Sequence, residues 1–168
     1  MDVVIRPAAT TDLAAIRDIF AHYVTTSVAT FEERAPTLDD WTRRLAELRS
    51  LDLPVLVAAL GGTVAGYAYA SPWRARPAYR FTVEDSVYVA PGRTGHGIGR
   101  QLLASLLEAC LAAGRRQVVA VVADTGDPAS EALHRGQGFE VAGRLRAVGW
   151  KHGRWVDTTI MQRSLVDS

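Results

Sequence analysis

A chain of 168 residues, 48% hydrophobic and 22% charged, is long enough for one domain with a sizeable core and too short for two ordinary ones, so 1–168 reads as a single unit. A formal net charge of +1 supplies no overall field for nucleic-acid binding, and a single cysteine, Cys110, excludes an internal disulfide and a cysteine-rich zinc site. No apolar run reaches membrane-spanning length and the N-terminus lacks a basic start followed by an apolar core, so the expectation is a cytoplasmic protein with neither a nucleic-acid nor a membrane partner.

The opening segment VVIRPAA (Val3–Ala9) reads as a short strand with Pro7 near its end. TDLAAIRDIFAHYVTT sets Leu13, Ile16, Ile19, Phe20 and Tyr23 at helical spacing, which predicts an amphipathic helix. A second helix is expected over Thr37–Ser50, capped by Thr37, with Asp39 and Asp40 in a first turn where the helix dipole favours acid. The period then changes. PVLVAAL, GTVAGYAYASPW and RFTVEDSVYV read as three strands, the first two joined across Gly61-Gly62 in a tight hairpin. GRQLLASLLEACLAAG is a helix with Leu102, Leu103, Leu106, Leu107, Cys110 and Leu111 on its core side, ended by Gly114. QVVAVVAD is a near-continuous apolar strand, DPASEALHRGQG a short helix, and FEVAGRLRAVGW and RWVDTTIMQRSL a closing pair of strands. The order β-α-α-β-β-β-α-β-α-β-β implies an α/β (α+β) fold with a mixed, mostly antiparallel sheet flanked by helices. Its one clear strand–helix–strand crossover runs from Val83 to Asp124.

The densest signal lies where a β-branched strand meets the leucine-rich helix. Four glycines stand among the eight residues from Gly92 to Gly99, although glycine gives up more conformational freedom on folding than any other residue. The first amides of a helix have no internal partners, and the dipole places partial positive charge there. With Gly95, Gly97 and Gly99 bare of side chains, phosphate oxygens can approach those amides, and Arg93, His96 and Arg100 add positive charge. This is not a triphosphate P-loop, because Gly99-Arg100-Gln101 replaces Gly-Lys-Ser/Thr. The G-x-G-x-G spacing also departs from the dinucleotide G-x-G-x-x-G, although Asp124 ends the next strand where a ribose-binding acid would stand.

Two further groupings carry chemistry. Glu84 and Asp85 stand side by side in TVEDSVYV, and a strand turns them to opposite faces, so only one of them faces a given cleft as a base. PWRARPAYRF interleaves Arg74, Arg76 and Arg80 with Trp73, Tyr79 and Phe81, a composition suited to a small zwitterion: arginine forks take a carboxylate and aromatics wall off a side chain. Cys110, on the apolar side of its helix, reads as core rather than nucleophile. His22 and His152 have no partner at ligand spacing, so no metal is expected.

The strand SVYV, the loop RTGHGIG and the helix after it resemble the acetyl-CoA-binding core of the GNAT superfamily of N-acetyltransferases. More narrowly, SPWRARPAYRFTVEDSVYV, DPASEALHRGQGF and AVGWKHGRW resemble the phosphinothricin and methionine-sulfoximine acetyltransferases, over nearly the whole chain from IRPA to MQRSL. The resemblance implies acetyl-CoA as cosubstrate. Its pyrophosphate would lie on the loop amides of Gly95, His96, Gly97, Ile98, Gly99 and Arg100, and its pantetheine arm along Val87, Tyr88 and Val89 in the manner of an added strand. Thr94 stands where the family usually has Arg, and Asp127 where it has Asn, an exchange that removes an amide donor. The resemblance also implies Glu84 as general base, a backbone N–H near Val87 for the oxyanion, and His134 in the region of the family's helix tyrosine as a catalytic or cofactor-side group. Trp73, Arg74, Ala75, Val83, Glu84 and Asp85 would form the acceptor pocket for the α-amine of a small amino acid such as phosphinothricin, methionine sulfoximine or methionine sulfone. Lys151, His152, Arg154 and Trp155 resemble the family's closing hairpin, near the interface of an expected homodimer. Other amine acceptors (a polyamine, an aminoglycoside, a protein N-terminus) and a non-catalytic acyl-CoA sensor are the alternative readings.

Overall fold

Alternation and β-branching resolve into seven strands of one sheet in the computed structural model, which describes residues 2–167. They are β1 (Val3–Pro7), β2 (Val55–Leu60), β3 (Thr63–Pro72), β4 (Thr82–Val89), β5 (Gln117–Ala123), β6 (Glu140–Lys151) and β7 (Arg154–Ser164), in the spatial order β1-β2-β3-β4-β5-β7-β6. Four α-helices accompany them: α1 (Leu13–Thr26), α2 (Leu38–Ser50), α3 (Ile98–Ala112) and α4 (Ala129–Gly136). The chain order is the expected one. Gly61 and Gly62 take φ of 58° and 80°, the left-handed pair that a two-residue hairpin demands, so β2 turns directly into β3. All strand pairs are antiparallel except β4 with β5, which the α3 crossover forces to run parallel.

Side-chain alternation sends one set of residues to each face of the sheet. On one face α3 buries Leu102, Leu103, Leu106 and Cys110 in a cluster with Ala58, Ala68, Ala70, Val83, Val118 and Ala120. Leu133 and Phe139, from α4 and the turn after it, join the same cluster. The small residues on β2 and β3 let the helix come close: a Cβ on Gly66 would stand 2.9 Å from the Tyr88 carbonyl and 3.1 Å from Leu102. On the other face α1 and α2 contribute Leu13, Ile16, Phe20, Trp41 and Leu45, packed with Val57 and Tyr67. Leu111 departs from expectation. It is 48% exposed, because one residue past Cys110 turns about 100° away from the stripe that meets the sheet.

The helix starts follow local chemistry. Thr37 and Asp40 form a reciprocal capping box, Asp40 N–H donating to Thr37 Oγ1 at 3.1 Å and Thr37 N–H to Asp40 Oδ2 at 2.8 Å. Between β1 and α1, buried Asp12 accepts from the Ala9 amide and from both arms of Arg6, which together hold its carboxyl below the ordinary range. Among the described residues no helix is long and apolar enough to cross a membrane.

Candidate active site

Strands β4 and β5 are paired only over Thr82–Glu84 and Gln117–Val119; beyond that the ladder ends and the two part. Ala70, opposite Asp85, sends its N–H away from β4 to Pro54 at 3.1 Å. That pair is therefore a non-hydrogen-bonded one. By the alternation of an antiparallel ladder, the backbone groups of Glu84, Ser86 and Tyr88 bond to β3, while those of Asp85, Val87 and Val89 face the gap beside β5. The Val89 carbonyl accepts the Tyr23 hydroxyl from α1, and the Val87 groups stay turned to the opening. The gap widens into an open cleft of about 640 Å³ that runs from the segment after α1, along β4, to the glycine loop.

The loop itself is built on left-handed backbone. Gly92, Gly95 and Gly97 have φ of 77°, 79° and 76°, conformations that a side chain would strain. Gly97 is the N-cap of α3, and no side chain satisfies the first turn of that helix. Its amides thus point into the cleft mouth with the positive end of a four-turn dipole behind them. Gly99 serves a different purpose: a Cβ there would touch Leu133 at 3.5 Å and Val89 at 3.6 Å, where α3, α4 and β4 converge.

Glu84 is half-buried and Asp85 buried, on opposite faces of β4, and both line the cleft. Burial raises the Glu84 carboxyl, the Asp85 charge raises it further, and Arg74 partly offsets both. Asp85 Oδ2 lies 2.7 Å from His134 Nε2, and His134 Nδ1 lies 2.7 Å from the Ser130 carbonyl. With Nδ1–H donating to that carbonyl, Nε2 faces a carboxylate, an arrangement that favours the imidazolium. Burial pulls the ring down, but the Asp85 hydrogen bond and charge and the Ser130 carbonyl outweigh it, and the net is raised. The pair ties α4 to β4 from the α3 side of the sheet.

The remaining expected residues fall in and around this frame. Gly95, Gly97, Ile98, Gly99 and Arg100 line the cleft with Val87, Tyr88 and Val89, whereas His96 is exposed and outside the lining. The Tyr88 backbone is committed to β3 and the Val89 carbonyl to Tyr23, so the Val87 groups and the Val89 N–H present the free strand edge. Asp127 lines the cleft, and its Oδ1 accepts the Ala129 amide at the start of α4. Val83 is packed in the α3-side core. Trp73, Arg74 and Ala75 stand outside the lining on the β3–β4 connection, with the Arg74 guanidinium stacked over Trp73 at 4.8 Å. Asp124 belongs to no ribose site. It pairs with Arg144 at 2.8 Å and takes the Gly126 amide at 3.0 Å. Among the described residues no group of three or more His, Cys, Asp or Glu is placed to hold a metal. Sequence reasoning missed Tyr23 as a cleft residue, although it sits at the edge of the α1 stripe. It also missed Ser27, Ala29, Thr30 and Phe31, which line the cleft from a segment with no local signal.

Known proteins resemble this chain in sequence and fold. The family model for the acetyltransferase (GNAT) family matches residues 14–139. The phosphinothricin N-acetyltransferase of Alcaligenes faecalis is 49% identical over 154 residues, 92% of this chain and 78% of that protein. The L-methionine sulfoximine/L-methionine sulfone acetyltransferase of Salmonella typhimurium is 38% identical over 161 residues, 96% of this chain and 94% of that one. A phosphinothricin acetyltransferase of the GNAT superfamily from Sinorhizobium meliloti, solved in complex with acetyl-CoA, superposes with a TM-score of 0.93 at 45% identity, covering 98% of this chain and 89% of that one.

Proposed function

The chain belongs to the acetyltransferase (GNAT) family, and on that premise we propose that it acetylates the α-amine of a small amino acid or analogue of the phosphinothricin, methionine sulfoximine or methionine sulfone type. The observation that carries the reading is the parted β4–β5 edge, which leads from an uncapped glycine-built helix start to two carboxylates. Acetyl-CoA, when bound, supplies an acetyl group activated as a thioester. The residues present fit it: open amides and Arg93 and Arg100 at the mouth suit a diphosphate, and the Val87 and Val89 backbone suits an extended amide chain.

Glu84 is the base. An α-amine is protonated at neutral pH and attacks only after losing its proton, and a half-buried carboxylate with a raised pKa takes that proton without being too weak a base. The Val87 N–H, turned into the gap, is the donor for charge developing on the substrate carbonyl oxygen. His134 has both ring nitrogens engaged, by Asp85 and by the Ser130 carbonyl, so it braces α4 against β4 in the cleft wall, and the leaving thiolate takes its proton from water in the open cleft. Arg74, near enough to act on Glu84, favours an acceptor that carries its own carboxylate. We also propose a homodimer joined through the β6–β7 hairpin, whose β6 strand is the free edge of the sheet.

A thiol-release assay with acetyl-CoA and a panel of amines tests the reading. Turnover is expected with methionine sulfone, phosphinothricin or related amino acids, and little with polyamines or aminoglycosides. Tight acetyl-CoA binding with no turnover on any amine would instead make the protein an acyl-CoA sensor.

A further inference from the structure

The end of β6 carries a buried cation that the cleft chemistry does not use. Lys151 is 2% exposed, and its Nζ donates to the carbonyls of Ser27 at 2.8 Å and Thr30 at 2.7 Å. Two residues earlier, on the same face of the strand, a Cβ on Gly149 would collide with the ring of Phe31. One strand end thus receives one segment twice, through a charge and through a missing side chain. Beyond the Ser27 cap on α1, the two carbonyls bound by Lys151 are the only backbone hydrogen bonds from residues 27–33 to the rest of the fold among the described residues.

Burying an ammonium is unfavourable unless its hydrogens are satisfied. Burial pulls the Lys151 pKa down, and nearby Glu33 and Glu32 oppose that pull. Both hydrogen bonds go to backbone more than a hundred residues away in sequence, so the side chain acts on the segment and not on the cleft. That segment is placed to matter. Ser27, Ala29, Thr30 and Phe31 line the cleft on the face toward which Glu84 points, while the glycine loop closes its other end. Thr30 also stands beside the phenol of Tyr88, two alternations along β4 from Glu84.

We infer that Lys151 is a positioning residue for the acceptor amine: with Gly149 it seats the Ser27–Phe31 segment and so sets the cleft wall past which the amine reaches Glu84. This rests on the acetyl-transfer reading above. The cofactor end of the cleft is independent of it.

The test compares wild type, Lys151→Met, Lys151→Arg and Gly149→Ala, each checked for folding by circular dichroism. Lys151→Met is expected to raise the acceptor KM by about tenfold or more while the acetyl-CoA Kd and KM move by less than about twofold. Lys151→Arg keeps a buried donor and should recover most of the loss. Gly149→Ala changes no charge but displaces Phe31, and should give the same split between acceptor and cofactor. Wild-type acceptor KM in folded Lys151→Met overturns the inference, and Gly149→Ala decides in the same way if the methionine variant does not fold. A parallel loss of acetyl-CoA affinity, the mark of a merely structural role, also overturns it. Absence of wild-type turnover on every amine fails the acetyl-transfer reading itself, whereas turnover with unshifted variants fails this inference alone.

Discussion

Glu84 shows how a single side chain sets function against stability. Its carboxyl is raised by burial and by the Asp85 charge, so between its unfolded and folded pKa values the native state holds more protons than the unfolded chain. Stability therefore falls as pH rises through that window and stays lower above it. Glu84→Gln removes this penalty together with the base. It is expected to slow turnover by about a hundredfold or more, leave acetyl-CoA binding unchanged, and melt no earlier than wild type at pH 7. In wild type the acid limb of kcat/KM should lie above the ordinary glutamate range. Wild-type turnover by the Gln variant at neutral pH removes Glu84 as the base. The carboxylate was legible in sequence because it interrupts a strand of core-like residues. Lys151 was not, since its meaning depends on carbonyls that only the folded chain brings to it.

Among the elements, those governed by local chemistry were the readable ones. The Thr37 cap, the Gly61-Gly62 hairpin and the glycine start of α3 each follow from backbone preferences within a few residues. The parting of β4 and β5 is different. It comes from register across the α3 crossover, and no pattern within either strand announces it. Strand β6 is likewise irregular where its register against β7 shifts between Leu145 and Gly149, a bulge stapled when Asp157 accepts the Ala147 amide at 2.8 Å. The contact between β3 and α3 gives a test at this scale. Gly66→Ala drives a methyl against the Tyr88 carbonyl, which cannot yield without moving β4, and against the buried Leu102 side chain, and should destabilise by about 1–3 kcal/mol in denaturant unfolding. Gly99→Ala meets only ordinary contacts at 3.5 Å and beyond and should fold with much smaller loss; equal stability of both variants and wild type would contradict the packing described for α3.

For the molecule as a whole, the helices pack over the sheet mainly from β1 to β5, and β6 at its far margin is exposed along most of its length. Val141, Leu145, Val148, Trp150 and Trp155 on β6 and β7 are each 46% to 65% exposed, and the two tryptophan rings lie 4.9 Å apart at this edge. An open strand edge with that much apolar surface is a natural seat for a second copy. Sedimentation should therefore report twice the 18.2 kDa chain mass, with Trp155→Asp shifting the population toward monomer; a monomeric wild type at micromolar concentration excludes the assembly. The opposite extreme of burial lies between α3 and the sheet, where Cys110 is fully enclosed and its thiol is pushed up to about 12, chiefly by burial. A disulfide dye added to native enzyme consequently reads only coenzyme thiol set free by turnover. When the dye does at last colour the polypeptide, that slow phase is a clock for the interior coming apart.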